Sequence, residues 1–302
     1  MSKRHFKKPK MAIVYDFDGT LADGNMQEHQ FLPQIGIKPK DFWSDVKQQA
    51  KAHNADEILI YMKLMLDNAK RSETPVRRDD FKSYGTEIKL FDGVIEWFDR
   101  INKYAQKNYV CVEHYLVSSG NAEIFSGTPI FQKFKKVYAS QFMFDENDVA
   151  IWPALAVNYT TKTQYLFRIN KGALDLNDNN QINKFVTKHD RPVPFENMVY
   201  IGDGSTDIPC FRLVKEQGGL SVAVYKPRTK GARDKAIPYL EEGRVHCVVP
   251  AIYTENSELD NIIKANISII SARSKLSYLL SRNNKTETEP SVNTASHQLD
   301  QN

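Results

Sequence analysis

Along the chain, apolar runs that stop at small polar or acidic residues alternate with stretches whose apolar positions recur three and four apart. Short continuous apolar runs mark buried strands, and the wider spacing marks helices that pack one face. Strands are therefore expected at Met11 to Tyr15, Tyr109–Val117, Lys136–Ala139, Asn197–Ile201, Leu220–Tyr225 and Val245–Val249. Phe142–Phe144 and Ala154–Tyr159, separated by Asp145, Glu146, Asn147 and Asp148, are expected to pair as an antiparallel hairpin. Between the strands, Val94–Lys107 reads as a helix that turns Val94, Ile95, Trp97, Phe98 and Ile101 toward a sheet. A second helix is expected to be capped by Thr161, with Gln164 three residues on, and to run to Lys171 before Gly172. A third starts at Ser205 or Thr206 and runs through Gln217, and a fourth covers Ser257–Leu280. Leu174–Asn183, rich in Asn and Asp, reads as a loop, with a short helical turn at Ile182–Lys188. Alternating strands and helices of this kind build a parallel, doubly wound α/β sheet.

Residues 21–89 break that alternation. Asn25–Gln34, Pro39–Ala52 and Ala55–Lys70 are expected helices; the second places Phe42, Trp43 and Val46 on one side, the third Ile58, Leu59, Tyr61, Met62, Met65 and Leu66. Their Met and aromatic residues read as the core of a small helical unit inserted into the α/β frame.

Composition narrows the class. At 302 residues, 41% hydrophobic and 26% charged, the chain is globular, with one large or two modest domains. Lys3, Arg4, Lys7, Lys8 and Lys10 carry part of the net charge of +4, which points to a basic, solvated tail over residues 1–10. Beyond Ser281 the chain turns polar, and residues 283–302 are expected to be disordered. No apolar stretch follows the basic start and none is long enough to span a bilayer, so a cytoplasmic protein is expected, with no membrane and no nucleic acid as partner. Cys111, Cys210 and Cys247 lack metal-ligand spacing and read as reduced, buried thiols. His29 and His53 read as surface or capping residues. The oligomeric state is left open.

The chemistry gathers at strand ends. Asp16 and Asp18, one residue apart where the first strand stops, project to the same side. Two carboxylates about 4 Å apart at an effective dielectric near 20 repel by about 4 kcal/mol, so the pair calls for a proton, a cation or an electrophile. Taken singly, each feature has a plainer reading: a solvated turn for Asp16 and Asp18, a solvated helix start for Lys162, a favourable first-turn acid for Asp207. Open parallel sheets bind ligands beyond the carboxyl ends of their strands, and there the chain places Asp16, Asp18, Ser118, Asp203 and Asp207. Four carboxylates, a hydroxyl and a lysine converging on one crevice suit Mg²⁺ together with a phosphate-bearing substrate.

Asp16-Phe17-Asp18-Gly19-Thr20, Ser118, Lys162 and Gly202-Asp203-Gly204-Ser205-Thr206-Asp207 resemble, in order, the four motifs of the haloacid dehalogenase superfamily, most closely its phosphoserine phosphatase-like branch. The resemblance covers about residues 11–250. It implies a Rossmann-like doubly wound parallel sheet with an inserted helical cap domain, the core formed by residues 11–20 and 90–282 and the cap by 21–89. The function it implies is Mg²⁺-dependent hydrolysis of a small phosphorylated metabolite through an aspartyl-phosphate. In that scheme Asp16 is the nucleophile and Asp18 the general acid and base, while Ser118 and Lys162 hold the phosphoryl oxygens. The metal is held by Asp16, the backbone carbonyl of Asp18, Asp203 and Asp207, the last as ligand or as support. Lys171 is the alternative to Lys162. Where the phosphoserine-specific branch carries a cap glutamate this chain has Asn25, with Glu28 nearby. A phosphoryl transferase working through the same intermediate and an inactive binding protein on the same fold are the competing functions.

Overall fold

The computed structural model describes residues 8–286. Among these residues, seven strands form one sheet: β1 (Lys10–Tyr15), β2 (Cys111–Asn121), β3 (Lys136–Phe144), β4 (Ala150–Leu155), β5 (Met198–Gly202), β6 (Leu220–Tyr225) and β7 (Cys247–Pro250), in the order β4-β3-β2-β1-β5-β6-β7. All pairings are parallel except β3 with β4 at the edge. β1 is central, with Tyr15 level with Leu116 of β2 and Ile201 of β5. From β1 the chain first builds outward through β2 and β3, then returns to the other flank for β5 to β7. Strand order thus reverses at β1, and the crevice lies at its carboxyl end.

The helices are α1 (Phe31–Gln34), α2 (Pro39–His53), α3 (Glu57–Arg71), α4 (Arg78–Tyr84), α5 (Val94–Lys107), α6 (Ala122–Phe125), α7 (Lys162–Lys171), α8 (Asn179–Asn183), α9 (Ile208–Glu216), α10 (Ala232–Glu241) and α11 (Glu258–Thr286). Because side chains alternate along a strand, β1 serves two cores. Ala12 and Val14 face Tyr165, Leu166 and Ile169 of α7 with Phe211 and Val214 of α9. Met11, Ile13 and Tyr15 join the apolar cluster that contains Trp97 and Phe98 of α5 and Ile263 of α11. A buried chain of hydrogen bonds runs through this second layer: Trp97 Nε1 donates to Tyr15 Oη (2.8 Å), which reaches His114 Nδ1 (2.9 Å), while His114 Nε2 faces Asn102 Oδ1 (3.1 Å).

The inserted segment shares that cluster through Phe31, Phe42, Tyr61, Met62, Met65 and Phe81. It leaves and re-enters the core at neighbouring points, with Asp23 N donating to Lys89 O and Phe91 N to Leu21 O. It is stitched to the β3–β4 hairpin by Arg78 N to Asp148 O, Ala150 N to Val76 O, and the Phe81 and Phe142 rings stacked 5.1 Å apart. Among the described residues, no helix is long and apolar enough to cross a membrane.

Several expectations are corrected. β3 is one strand through Ser140 and Gln141, so its partner begins at Ala150 straight after the Asp145–Asp148 turn, not at Ala154. Asn25–Gln34 is a 3-10 turn, Met26–Glu28, followed by the short α1. α8 occupies residues 179–183 instead of 182–188, within the expected loop. Thr161 has helical backbone angles and its side chain accepts no capping hydrogen bond from the helix; the Asn158 side chain accepts from Thr160 N (3.3 Å) and Thr161 N (3.1 Å) in its place. Ile95 and Leu59 point to solvent, 54% and 42% exposed. Cys111 is exposed, Cys247 partly so, and only Cys210 is buried. Lys10 belongs to β1 and α11 continues to Thr286, so the expected tails are shorter at both inner ends; their remainders, 1–7 and 287–302, lie outside the described residues.

Candidate active site

β1 ends at Tyr15, and the loop Asp16–Thr20 is held against β5 by Asp16 N donating to Ile201 O (2.9 Å). Asp16 is buried: its Oδ1 accepts from Phe17 N (2.7 Å) and its Oδ2 lies 2.9 Å from Lys162 Nζ. Asp18 is fixed from the inserted segment, with Oδ1 accepting from Met26 N (2.8 Å). Its Oδ2 faces Gly120, where a Cβ would come within 3.0 Å of that oxygen and 2.4 Å of Met26 Cε. At position 19 a Cβ would lie 2.1 Å from Asp203 Oδ2, and the backbone has φ +72°, so glycine there lets the two acidic loops meet.

Lys162, at the first turn of α7, is completely buried and reaches three groups: Asp16, Asp207 Oδ1 (2.8 Å) and Thr206 Oγ1 (3.3 Å). Asp207 is surrounded by donors. Its Oδ1 also accepts from Tyr200 Oη (2.7 Å), and its Oδ2 accepts from Asp203 N (3.1 Å) and Gly204 N (3.2 Å). It therefore locks the lysine and the 203–204 loop in one arrangement. Lys171, at the far end of α7, instead binds the carbonyls of Ile182 and Lys184. Ser118 is buried at the end of β2, its Oγ accepting from Gly120 N (3.1 Å).

Burial raises three of the carboxylates, Asp16, Asp18 and Asp203. Burial pushes the Asp16 carboxyl up to about 6, against the opposing pull of Lys162. Asp18 is raised well above the carboxylate range, first by burial and then by the charge of Asp16. Asp203 is raised likewise, by burial and by Asp207 and Asp16. Burial disfavours the charged form of Lys162, but Asp16 and Asp207 outweigh it and hold the ammonium above its ordinary value. Asp16, Asp203 and Asp207 offer oxygens within 4.8 Å of one another. No described residue donates a hydrogen bond to the Asp203 carboxylate, and the donor set is oxygen only. These residues fit a hard divalent cation.

Thr206, within the fourth motif, reaches Lys162, and Tyr200 completes the site without having been expected there. Tyr200 sits in the apolar run of β5, and its only sequence signal is that a buried tyrosine needs a partner for its hydroxyl. Beside Asp18, the inserted segment adds a second group. Glu28 Oε1 accepts from Asn25 Nδ2 (2.6 Å) and Trp43 Nε1 (2.7 Å), and Tyr61 Oη donates to Ser119 O (2.6 Å). His29 turns away, to Asp23 O.

Fold and site together define a doubly wound α/β protein with an acidic, lysine-countered crevice at its central strand. The family model of haloacid dehalogenase-like hydrolases matches residues 13–212, and the chain belongs to that family. It is 29% identical over 289 residues to an uncharacterized protein of Borreliella burgdorferi, covering 86% of this chain and 97% of that one. It is also 22% identical over 211 residues to phosphoethanolamine/phosphocholine phosphatase of Gallus gallus, covering 67% and 69%. Among solved structures, a phospho-aspartyl intermediate analogue of phosphoserine phosphatase shares the fold, with TM-score 0.53 at 16% identity over 85% of this chain and 99% of that one.

Proposed function

We propose that the protein is a Mg²⁺-dependent phosphomonoesterase that hydrolyses a small phosphorylated metabolite in the cytoplasm through an aspartyl-phosphate on Asp16. The observation that carries this reading is the unequal environment of two aspartates at one strand end. Asp16 is paired with a buried lysine, whereas Asp18 is held by Met26 N of the inserted segment, and burial and the charge of Asp16 shift its carboxyl upward, toward the neutral form. Such a pair supplies a nucleophile and a general acid from the same residue type.

In the first step an Asp16 oxygen attacks phosphorus and the bond to the leaving oxygen breaks, with the proton of Asp18 passing to that oxygen. In the second, Asp18 takes a proton from water, the water oxygen bonds to phosphorus, and inorganic phosphate departs from Asp16. Lys162 and Ser118 hold the non-bridging oxygens, and Asp207 and Tyr200 keep Lys162 in place. The cation would be held by Asp16, the backbone carbonyl of Asp18 and Asp203, with Asp207 supporting the loop; bound there it offsets phosphoryl charge.

The insertion 21–89 is read as a cap that closes the crevice and sets substrate choice, since it supplies Met26 N to Asp18 and Tyr61 to the Ser119 carbonyl. The Glu28 carboxylate, bonded to Trp43 whose ring lies 5.8 Å from that of Tyr61, suits a phosphate ester with a cationic head. The substrates in the name of the avian relative are of this kind. Phosphate release from an aryl phosphate, with and without Mg²⁺ and chelator, tests the assignment. Activity that requires the metal supports it; undiminished turnover in excess chelator, with no metal bound, overturns it.

A further inference from the structure

The apolar face of α11 changes sides along the helix. Leu259, Ile263, Ile267 and Ile270 are buried against the core. Counted at about 100° per residue, the same face continues with Ser274, Ser277 and Ser281. From Ile269 onward a second stripe runs along another side of the helix: Ile269, Ala272, Leu276, Leu279 and Leu280, the four large residues 53%, 57%, 46% and 54% exposed. Arg273 flanks this stripe on one side, Lys275 and Arg282 on the other. Between Asp260 and Glu287 the sequence has no acid, but it carries Lys264, Arg273, Lys275, Arg282 and Lys285.

The fold fixes where this segment points. α11 runs alongside α5 in the same direction, with Arg100 3.1 Å from Asp260 and Tyr104 3.2 Å from Ser268. Its later part reaches the amino ends of the strands, where Arg273 Nη1 donates to Glu196 O (3.5 Å), just ahead of β5. That end is opposite the catalytic crevice. β1 starts there too, Lys8 lying 5.6 Å over the Tyr109 ring, with Lys3, Arg4 and Lys7 preceding it in sequence.

We propose that the stripe 269–280 of α11 docks on an anionic lipid surface, leucines in the interface and basic side chains at the headgroups, with the crevice facing away. Leucines flanked by lysine and arginine are the pattern of an interfacial helix. A second copy of the chain fits less well, because pairing two such helices sets basic residues against basic residues without an acid between them. The expected absence of a membrane partner rested on the lack of a spanning segment, which a surface contact does not need.

Co-sedimentation of the full chain with phosphatidylcholine vesicles, and with vesicles of equal phosphatidylcholine and phosphatidylglycerol, tests the proposal. Partitioning onto the mixed vesicles should be at least about tenfold stronger at low salt and weaken as salt rises. Leu276→Ser with Leu280→Ser, and separately Arg273→Gln with Lys275→Gln and Arg282→Gln, should each reduce it about tenfold while aryl phosphate turnover stays unchanged. Equal partitioning onto both vesicles, or variants that bind as the parent does, would overturn the proposal. So would a dimer in light scattering that the leucine variant breaks, with no vesicle binding.

Discussion

Lys162 Nζ lies 2.8 Å from Asp207 Oδ1, and both side chains are entirely buried. The same ammonium is 2.9 Å from Asp16, so one buried lysine offsets two carboxylates. Lys162→Ala should therefore abolish turnover and cost about 3–5 kcal/mol of stability at pH 7, the usual cost of leaving a buried charge unpaired. Urea unfolding should show a smaller loss at pH 5, where Asp16, pushed up to about 6, takes a proton and no longer needs the lysine.

The metal and protons should compete. In the metal-free protein Asp16 is raised to about 6 and Asp203 is shifted in the same direction, so protons compete with a cation for these oxygens as pH falls. The Mg²⁺-induced rise in melting temperature should grow from pH 5.5 to pH 7.5, and Asp203→Asn should remove it. Differential scanning fluorimetry at both pH values checks this; a shift that shrinks as pH rises would contradict it.

A single methyl group should disable the site. Gly19→Ala puts a Cβ 2.1 Å from Asp203 Oδ2 at a backbone φ of +72°. Displacing that carboxylate by about 1 Å should lower kcat about a hundredfold and weaken the Mg²⁺ shift. Gly204→Ala, where a Cβ meets nothing within 4 Å, is the control and should do neither.

His114 should impose its own pH dependence on stability. Burial lowers its pKa from 6.5 to about 3, so the folded protein keeps it neutral while the unfolded chain protonates it below 6.5. Its contribution is present above pH 6.5 and is lost as pH falls toward 3, amounting to about 2 kcal/mol between pH 7 and pH 5. The raised carboxylates act in the opposite direction, so the informative quantity is the difference between the parent and His114→Asn. Over that interval the variant should lose about 2 kcal/mol less than the parent.

What the sequence revealed follows from how local each signal is. Asp16 and Asp18 were legible because strand periodicity puts neighbours at i and i+2 on one side. Lys162 was legible only through the order of the motifs, since a lysine at a helix start is ordinary. Tyr200 was hidden inside an apolar run, and nothing local shows that its hydroxyl meets Asp207. β3 was split at Ser140 and Gln141 because polar residues there resemble a break. In the fold Ser140 Oγ donates to Ser119 O (3.0 Å) and accepts from Val157 N (3.1 Å), so the strand continues. α10 left almost no pattern: Ala236 is its one buried residue, and Pro238 interrupts its interior.

In the proposed reaction Asp16 carries the phosphoryl group and Asp18 moves the proton. The most direct measurement is intact-protein and peptide mass spectrometry of Asp18→Asn, acid-quenched after mixing with Mg²⁺ and an activated aryl phosphate. One phosphoryl adduct is expected on the peptide containing Asp16, absent from Asp16→Asn, because attack on a good leaving group proceeds while activation of water does not. Turnover retained by Asp16→Asn, or an adduct that forms equally well without that carboxylate, would contradict it.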